Sequence, residues 1–120
     1  MNKIKKILEA LGLDDKNYQE IRLKRDEILK IKDFLDLNGC QNNSPTLGEL
    51  LDKIVPEEGE IFTYEGYIIG TERGDSRLAI DCVCGENIGG ETMIKALNEW
   101  GQADEADFST VTREFRVWWD

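Results

Sequence analysis

The spacing of apolar residues along the chain is helical before Pro56 and strand-like after it. Residues 2–12 carry isoleucine and leucine at intervals of three and four, which predicts a short amphipathic helix. The segment from about residue 15 to residue 38 keeps that period, with acidic residues four positions before basic ones, and predicts a longer second helix. After a polar loop at 40–43, a third helix with buried leucines is expected between residues 44 and 56.

After residue 56 the chain is richer in β-branched and aromatic residues and alternates in polarity, as strands do. The expected elements are a strand at 60–70, a turn at 71–76, a strand at 78–84, a helix at 92–99, a loop or frayed helix at 102–108 and a final strand at 110–119. In the second strand, the alternation predicts Cys82 and Cys84 on the same buried face as Ile80. In the final strand it predicts Val111 on the buried face and Trp118 on the opposite one.

These elements together predict an α+β fold with three N-terminal helices, then a β-hairpin, a helix and a final strand. The helices are expected to pack on one face of a small antiparallel sheet. We expect residues 1–120 to form a single domain, with a helical segment at 1–56 and an acidic sheet segment at 57–120. Two separate domains of about sixty residues would each be marginally stable, so one shared core is the better interpretation.

The net charge of the chain is confined to its second half. Residues 1–53 carry ten basic and ten acidic residues, whereas residues 54–120 carry five basic and fifteen acidic residues, so the whole formal charge of −10 comes from there. Such a surface repels nucleic acids and anionic membranes and attracts basic protein surfaces. The charge pattern therefore disfavours direct binding to nucleic acid or membrane and predicts a cationic protein partner.

The three cysteines are the main candidates for metal chemistry. Cys82 and Cys84 could supply two thiolate ligands from one face of a strand, with Cys40, Asp81 or another acid completing a zinc site. The competing interpretation, which we adopt here, is that both are small buried strand residues, as free cysteine often is. No metal or cofactor is then expected. An odd cysteine count argues against a disulfide framework and predicts a reducing, cytoplasmic environment.

The chain contains no histidine and no catalytic or cofactor motif, so we expect a protein without enzymatic activity. The candidate partner-binding residues are acids in loops and near strand ends, together with one outward-facing aromatic residue. They are Glu72, Asp75, Glu99, Asp104, Glu105, Asp107 and Trp118. In such a patch the aromatic residue anchors the partner and the charges steer it. The competing interpretations are a solvated charged face and a Trp118 that is covered by a helix or loop.

In general character, the acidic second half resembles the small inhibitors carried by phages and mobile elements, the anti-CRISPR and antirestriction proteins. The resemblance is one of composition and rests on Glu57-Glu58-Gly59-Glu60, Glu72, Asp75 and the segment from Glu99 through Asp107. It implies a protein that blocks a nucleic-acid-handling enzyme by occupying its basic channel or by holding it in one conformation. Two other functions stay open. One is a housekeeping interaction or regulatory module, either monomeric or homodimeric, and the other is a metal-binding protein that uses the paired cysteines and carboxylates.

Overall fold

The computed structural model of the protein describes residues 2–40 and 43–120. The helices are α1 (Lys3–Leu11), α2 (Arg25–Lys30), α3 (Leu47–Asp52) and α4 (Gly90–Trp100), and the strands are β1 (Tyr18–Lys24), β2 (Ile61–Ile69), β3 (Arg77–Glu86), β4 (Glu105–Ser109) and β5 (Glu114–Trp118). A short 3₁₀ turn at Lys32–Phe34 follows α2. The protein therefore has the α+β architecture that the apolar pattern predicts.

The five strands form one antiparallel sheet in the order β1-β2-β3-β5-β4. β2 and β3 are the two arms of a hairpin. β1 pairs with the outer edge of β2, and all seven residues of β1 take part in this pairing. β5 pairs with β3 only alongside residues 82–85, and β4 forms the far edge by pairing with β5. Among the described residues, the half of β3 next to the hairpin turn therefore has a strand neighbour on one side only.

One face of the sheet packs against the helices and forms the hydrophobic core. Apolar residues at alternate positions of the strands point to this face, for example Leu23, Tyr64 and Val83. All four helices contribute buried residues to the same cluster. Trp100 of α4 packs obliquely against Phe115 of β5, with ring centroids 5.9 Å apart. Removal of this apolar area from water is the main term that stabilises the fold.

The prediction of a long second helix from about residue 15 to residue 38 is wrong. Its first section is β1, and only Arg25–Lys30 within it is α-helical. β1 alternates buried Ile21 and Leu23 with solvent-facing neighbours. Ile21 also fits a helical stripe with Tyr18 and Ile28, whereas Leu23, two residues further on, fits only the alternation of a strand. Pairing with β2 supplies backbone hydrogen-bond partners for the segment in its extended form. The N-terminal segment predicted to be helical therefore contains an edge strand.

The acidic segment expected as loop or frayed helix at 102–108 instead ends in β4, the other edge strand. Ala106 and Phe108 of β4 pack against the core, so this short strand has the alternation of a half-buried one. The final strand is confirmed, but it begins at Glu114 rather than at residue 110. Val111 was expected on the buried face; it lies in the preceding turn and is 91 % exposed.

β3 contains a bulge at Asp81, which changes the face on which the cysteines lie. Glu65 pairs with Cys82, whereas Gly66 pairs with Ile80, so Asp81 is the extra residue between the two registers. Ile80 points into the core, and both cysteines of β3 point to the opposite face of the sheet. The expectation that they share a face with Ile80 is therefore wrong, because one inserted residue inverts the alternation.

The hairpin and the later helix are confirmed by β2, β3 and α4. The third predicted helix is present but shorter, and it begins after Thr46, whose side-chain oxygen accepts a hydrogen bond from Glu49 N at 3.2 Å. Of the polar loop expected at 40–43, Gln41 and Asn42 lie outside the described residues. Within residues 2–40 and 43–120, the helices fall short of the length and apolar character needed to cross a lipid bilayer.

Candidate functional site on the uncovered face of the sheet

In the described portion of the chain the helices all pack on the core side, which leaves a second sheet face that we call the open face. Its side chains come from alternate positions of the five strands: Tyr18, Glu20, Arg22, Lys24, Ile61, Thr63, Glu65, Tyr67, Ile69, Arg77, Ala79, Cys82, Cys84, Glu86, Glu105, Asp107, Ser109, Glu114, Arg116 and Trp118. Most of these residues are charged or aromatic. The strands therefore separate an apolar core face from a mainly polar one, as expected for an antiparallel sheet covered on one side.

Two thiols and a carboxylate meet on the open face, on neighbouring strands. The Sγ atoms of Cys82 and Cys84 are 3.9 Å apart, and the Cys84 thiol donates a hydrogen bond to Glu65 Oε2 at 3.2 Å. The three potential ligand atoms lie within 4.8 Å of one another. Cys82 is only 1 % exposed and Cys84 is half-buried, whereas the Glu65 side chain is 30 % exposed. The cluster is thus reached from solvent on the Glu65 and Cys84 side.

The surroundings of this cluster disfavour negative charge on Cys84 and on Asp81, whereas the hydrogen bond with Cys84 lowers the pKa of Cys82. The contact with Cys82, burial and the hydrogen bond to the Glu65 carboxylate all raise the pKa of the Cys84 thiol. Burial also raises the pKa of Asp81 in the bulge, and Trp118 and Arg116 only partly oppose that rise. A nucleophilic cysteine needs a lowered pKa, so these surroundings oppose nucleophilic chemistry at Cys84.

Carboxylates outnumber arginines around two adjoining depressions of about 580 and 490 Å³ in the open face. Their walls include two arginines and the six acids Glu20, Glu65, Asp81, Glu86, Asp107 and Glu114. Arg22 lies 3.9 Å from Glu65 and 3.7 Å from Glu86, and Arg116 lies 4.0 Å from Glu105. Arg22 therefore lies beside acids of β2 and β3, Arg116 lies beside one acid of β4, and acids still outnumber basic residues on this surface.

Aromatic rings interrupt this charged surface. Trp118 is half-buried on β5 and faces Glu105 across the strand pair. Nearer the β1 edge, Tyr18 and Tyr67 are stacked with ring centroids 5.6 Å apart. Arg77 lies over the Tyr67 ring at 5.5 Å and donates a hydrogen bond to its hydroxyl oxygen at 3.1 Å. Rings with a polar end supply apolar contact area on a surface that is otherwise polar.

The seven residues predicted for partner binding fall into three groups: Glu72 and Asp75 in the hairpin turn; Glu99 and Asp104 beside a depression next to α4; and Glu105, Asp107 and Trp118 on the open face. Asp75 pairs with Arg73 at 2.9 Å and with Arg77 at 3.3 Å, so much of its charge is compensated locally. Residues 77–82 separate the turn from the thiols by about 16 Å of strand. Only the third group therefore adjoins the thiol cluster.

Sequence reasoning missed the residues that β1, β2 and β5 bring to this site, chiefly Glu65, Arg22 and Arg116. One sequence does not reveal which positions of two strands lie opposite each other, and the bulge adds one residue to the count. A signal was present in Gly66, because a glycine within a strand often marks a bulge or a close backbone approach. Cys40, offered as a third thiol ligand, is exposed and borders a separate depression beside Asp36.

Comparison with known proteins finds no match for this chain among family models, curated proteins or solved structures. Its function is therefore inferred from the geometry and charge of the open face.

Proposed function

We propose that this chain is a small cytoplasmic, non-enzymatic inhibitor that docks its open face onto the basic nucleic-acid-binding surface of a target enzyme. The class of protein is that of the anti-CRISPR and antirestriction inhibitors, whose acidic composition the second half of the chain resembles. The observation that carries the proposal is the anionic, aromatic-bearing sheet face that the helices leave uncovered.

The charges on this face suit a cationic partner. Glu105 and Asp107 are two residues apart on β4, which spaces their side chains by about 6.7 Å along one side of the strand. Further acids from β2, β3 and β5 line the two depressions beside them. To a groove lined by lysine and arginine, such an array presents fixed negative charge in place of phosphates. Charge complementarity of this kind accelerates association and selects the partner.

The aromatic residues give the same face a means of holding a partner once the charges have steered it. Partly exposed tryptophan and tyrosine are the residue types most often found as energetic anchors in protein interfaces. Trp118 lies between Glu105 on β4 and the Cys82 position on β3, so an anchor and acidic residues occupy one continuous surface. Arg22 and Arg116 lie 3.7–4.0 Å from acids of this face and offset part of their charge.

The test is capture from a bacterial lysate by immobilised protein at low and at raised salt. The informative variant is Glu105→Lys/Asp107→Lys, which reverses two acids of the open face. Its matched control is Glu72→Lys/Glu99→Lys, which changes the net charge by the same amount outside that face. All four residues are exposed, and the unfolding free energy of each double variant is expected to stay within about 0.5–1 kcal/mol of the wild type.

We expect the wild type and the control to capture a nucleic-acid-binding enzyme, and the open-face variant to lose it. Capture should weaken as salt screens the charges, and excess duplex nucleic acid should release the enzyme because the two compete for one surface. Capture that survives excess nucleic acid, or equal loss in both double variants, contradicts the proposal. A partner without affinity for nucleic acid would instead favour the interaction-module alternative.

A further inference from the structure

We propose that Glu65, Cys82 and Cys84 form a zinc site on the open face, with the fourth coordination position left to a water molecule or an external ligand. This inference is independent of the docking proposal, because it depends on three side chains and not on the charge of the surface. The sequence suggests Cys40 or Asp81 as further ligands for these cysteines, whereas the structure places Glu65 of β2 beside them.

The distance between the two sulfur atoms is that expected between two ligands of one tetrahedral zinc ion. Two sulfur atoms each about 2.3 Å from one tetrahedral ion lie about 3.8 Å from each other. The Sγ atoms of Cys82 and Cys84 are 3.9 Å apart, so both reach one ion without a change of backbone. This separation is too long for a disulfide bond, in which the two sulfur atoms lie about 2.05 Å apart.

The carboxylate of Glu65 occupies the third position. Its Oε2 atom is 3.2 Å from Cys84 Sγ, and all three ligand atoms lie within 4.8 Å of one another. A sulfur and a carboxylate oxygen bound to one zinc ion lie about 3.5 Å apart, close to the observed separation. Carboxylate oxygen together with thiolate sulfur favours zinc over softer ions such as copper(I).

The sheet makes the three ligands rigid. Glu65 and Cys82 are a cross-strand pair, and the bulge at Asp81 starts immediately beyond them. Without that bulge, the alternation of β3 would turn both thiols into the core and away from Glu65. The bulge is thus the local feature that assembles the cluster, in keeping with the frequent placement of bulges next to functional sites.

The charges around the cluster suit a divalent ion. Two thiolates and one carboxylate carry three negative charges, and zinc would leave a net charge of −1 on the bound group. Arg22 lies 3.9 Å from Glu65 Oε2, where it offsets part of that charge. Binding displaces one proton from each thiol, so the affinity must fall as the pH is lowered.

Neither of the other candidate ligands joins the site. Cys40 borders a separate depression beside Asp36 and Leu47. Asp81 lines the same depression as Cys82 and Glu65, but its carboxylate is not part of the cluster whose ligand atoms lie within 4.8 Å of one another. The fourth position therefore faces the two depressions of the open face, because Glu65 lines both of them.

The direct test is a zinc titration of the reduced, metal-free full chain in competition with a chromophoric chelator. We expect one zinc ion per chain for the wild type and for Cys40→Ser, which removes the exposed thiol as a matched control. Cys82→Ser and Cys84→Ser should weaken binding at least about 100-fold, and Glu65→Gln about 10-fold to 100-fold. Wild-type affinity no greater than that of the Cys82→Ser/Cys84→Ser variant overturns the proposal.

A second measurement does not depend on the folding of any variant. Cobalt(II) added to the reduced wild type should give thiolate-to-cobalt charge-transfer bands and the intense visible bands of tetrahedral cobalt, and zinc should abolish both. A cobalt spectrum without thiolate charge transfer overturns the site even if zinc binds somewhere on the acidic surface. The docking experiment is carried out with a chelator present, so failure of one proposal leaves the other intact.

Discussion

The two faces of the sheet use the same strands in opposite ways. On the core face, Val83 of β3 lies beside Val117 of β5, and both are completely buried beneath the helices. One residue away on the same strands, Cys82 lies beside Trp118 on the open face, among arginines and carboxylates. The core face is explained by folding alone, because burial of aliphatic and aromatic side chains stabilises the domain. The acids of the open face add little to that burial, so folding alone does not explain their presence there.

The largest contrast between the faces should appear when one tryptophan is removed from each. Trp100 is 2 % exposed and packs against the rings of Phe62, Phe115 and Trp119. Trp100→Ala should lower the free energy of unfolding by about 3–5 kcal/mol, because it leaves a cavity in the core. Trp118→Ala should cost at least about 2 kcal/mol less. Urea unfolding of both variants measures the difference, and equal costs would show that the open face is packed as tightly as the core.

The bulge that separates the two registers of β3 can be tested through Gly66. A Cβ atom at this position would overlap the carbonyl oxygen of Ala79 on the paired strand, and that backbone cannot move aside cheaply. Gly66→Ala should therefore cost about 1–3 kcal/mol and weaken zinc binding by shifting Glu65. Gly74→Ala is the control, since a Cβ there has open space in the hairpin turn. An unfolding free energy for Gly66→Ala equal to that of Gly74→Ala would contradict the tight approach of β2 and β3.

The smallest expected loss in the free energy of unfolding comes from replacing Glu60, whose carboxylate binds the first turn of α4. The Glu60 carboxylate accepts hydrogen bonds from Gly89 N at 2.6 Å, Thr92 Oγ1 at 2.7 Å and Glu57 N at 2.7 Å, and so caps the first turn of the helix. Burial alone would raise the pKa of Glu60, but these hydrogen bonds and Arg113 outweigh it and lower the pKa. Glu60→Gln should cost about 1 kcal/mol at neutral pH.

The sign of the pH dependence follows from that lowered pKa. The ionised carboxylate stabilises the fold fully above the pKa of an unfolded glutamate, about 4.3, and this contribution is lost as the pH falls through the lower folded value. The stability gap between wild type and Glu60→Gln should therefore close in acid, as measured by urea unfolding at a series of pH values. Glu58→Gln, an exposed change two residues away, should follow the wild type at every pH. A constant gap down to acid pH would exclude the capping role.

Much of the fold was predictable because its periods are locally distinct. The hairpin and α4 follow from clear changes between two-residue and helical spacing in β2, β3 and residues 92–99. The edge strands were not predictable in the same way. β1 has only two buried residues, of which Ile21 also fits a helical stripe with Tyr18 and Ile28, and β4 is an acidic segment with two inward positions. β1 becomes a strand through pairing with β2, which is distant in sequence, whereas β4 pairs with β5 across the short turn that joins them.

The candidate site was harder to predict than the fold for a related reason. The sequence identified Cys82 and Cys84 as a pair, and Glu105, Asp107 and Trp118 as candidates for a binding surface. It did not identify Glu65 as the residue next to the thiols, because that contact requires the register of β2 against β3 and the position of the bulge. Tertiary pairing, rather than local preference, therefore determines the composition of the site.

The central claim is that cationic partners dock on the open face, and a nuclear magnetic resonance titration tests it most directly. Labelled, reduced, metal-free protein is titrated with an oligolysine peptide at low salt, and backbone amide shifts are followed residue by residue. We predict that the largest shifts fall at 105–107 and 116–118 and at 82–84, and that they disappear as salt is raised. Largest shifts in the hairpin turn, or at Glu99 and Asp104, would contradict the claim and assign docking to another surface.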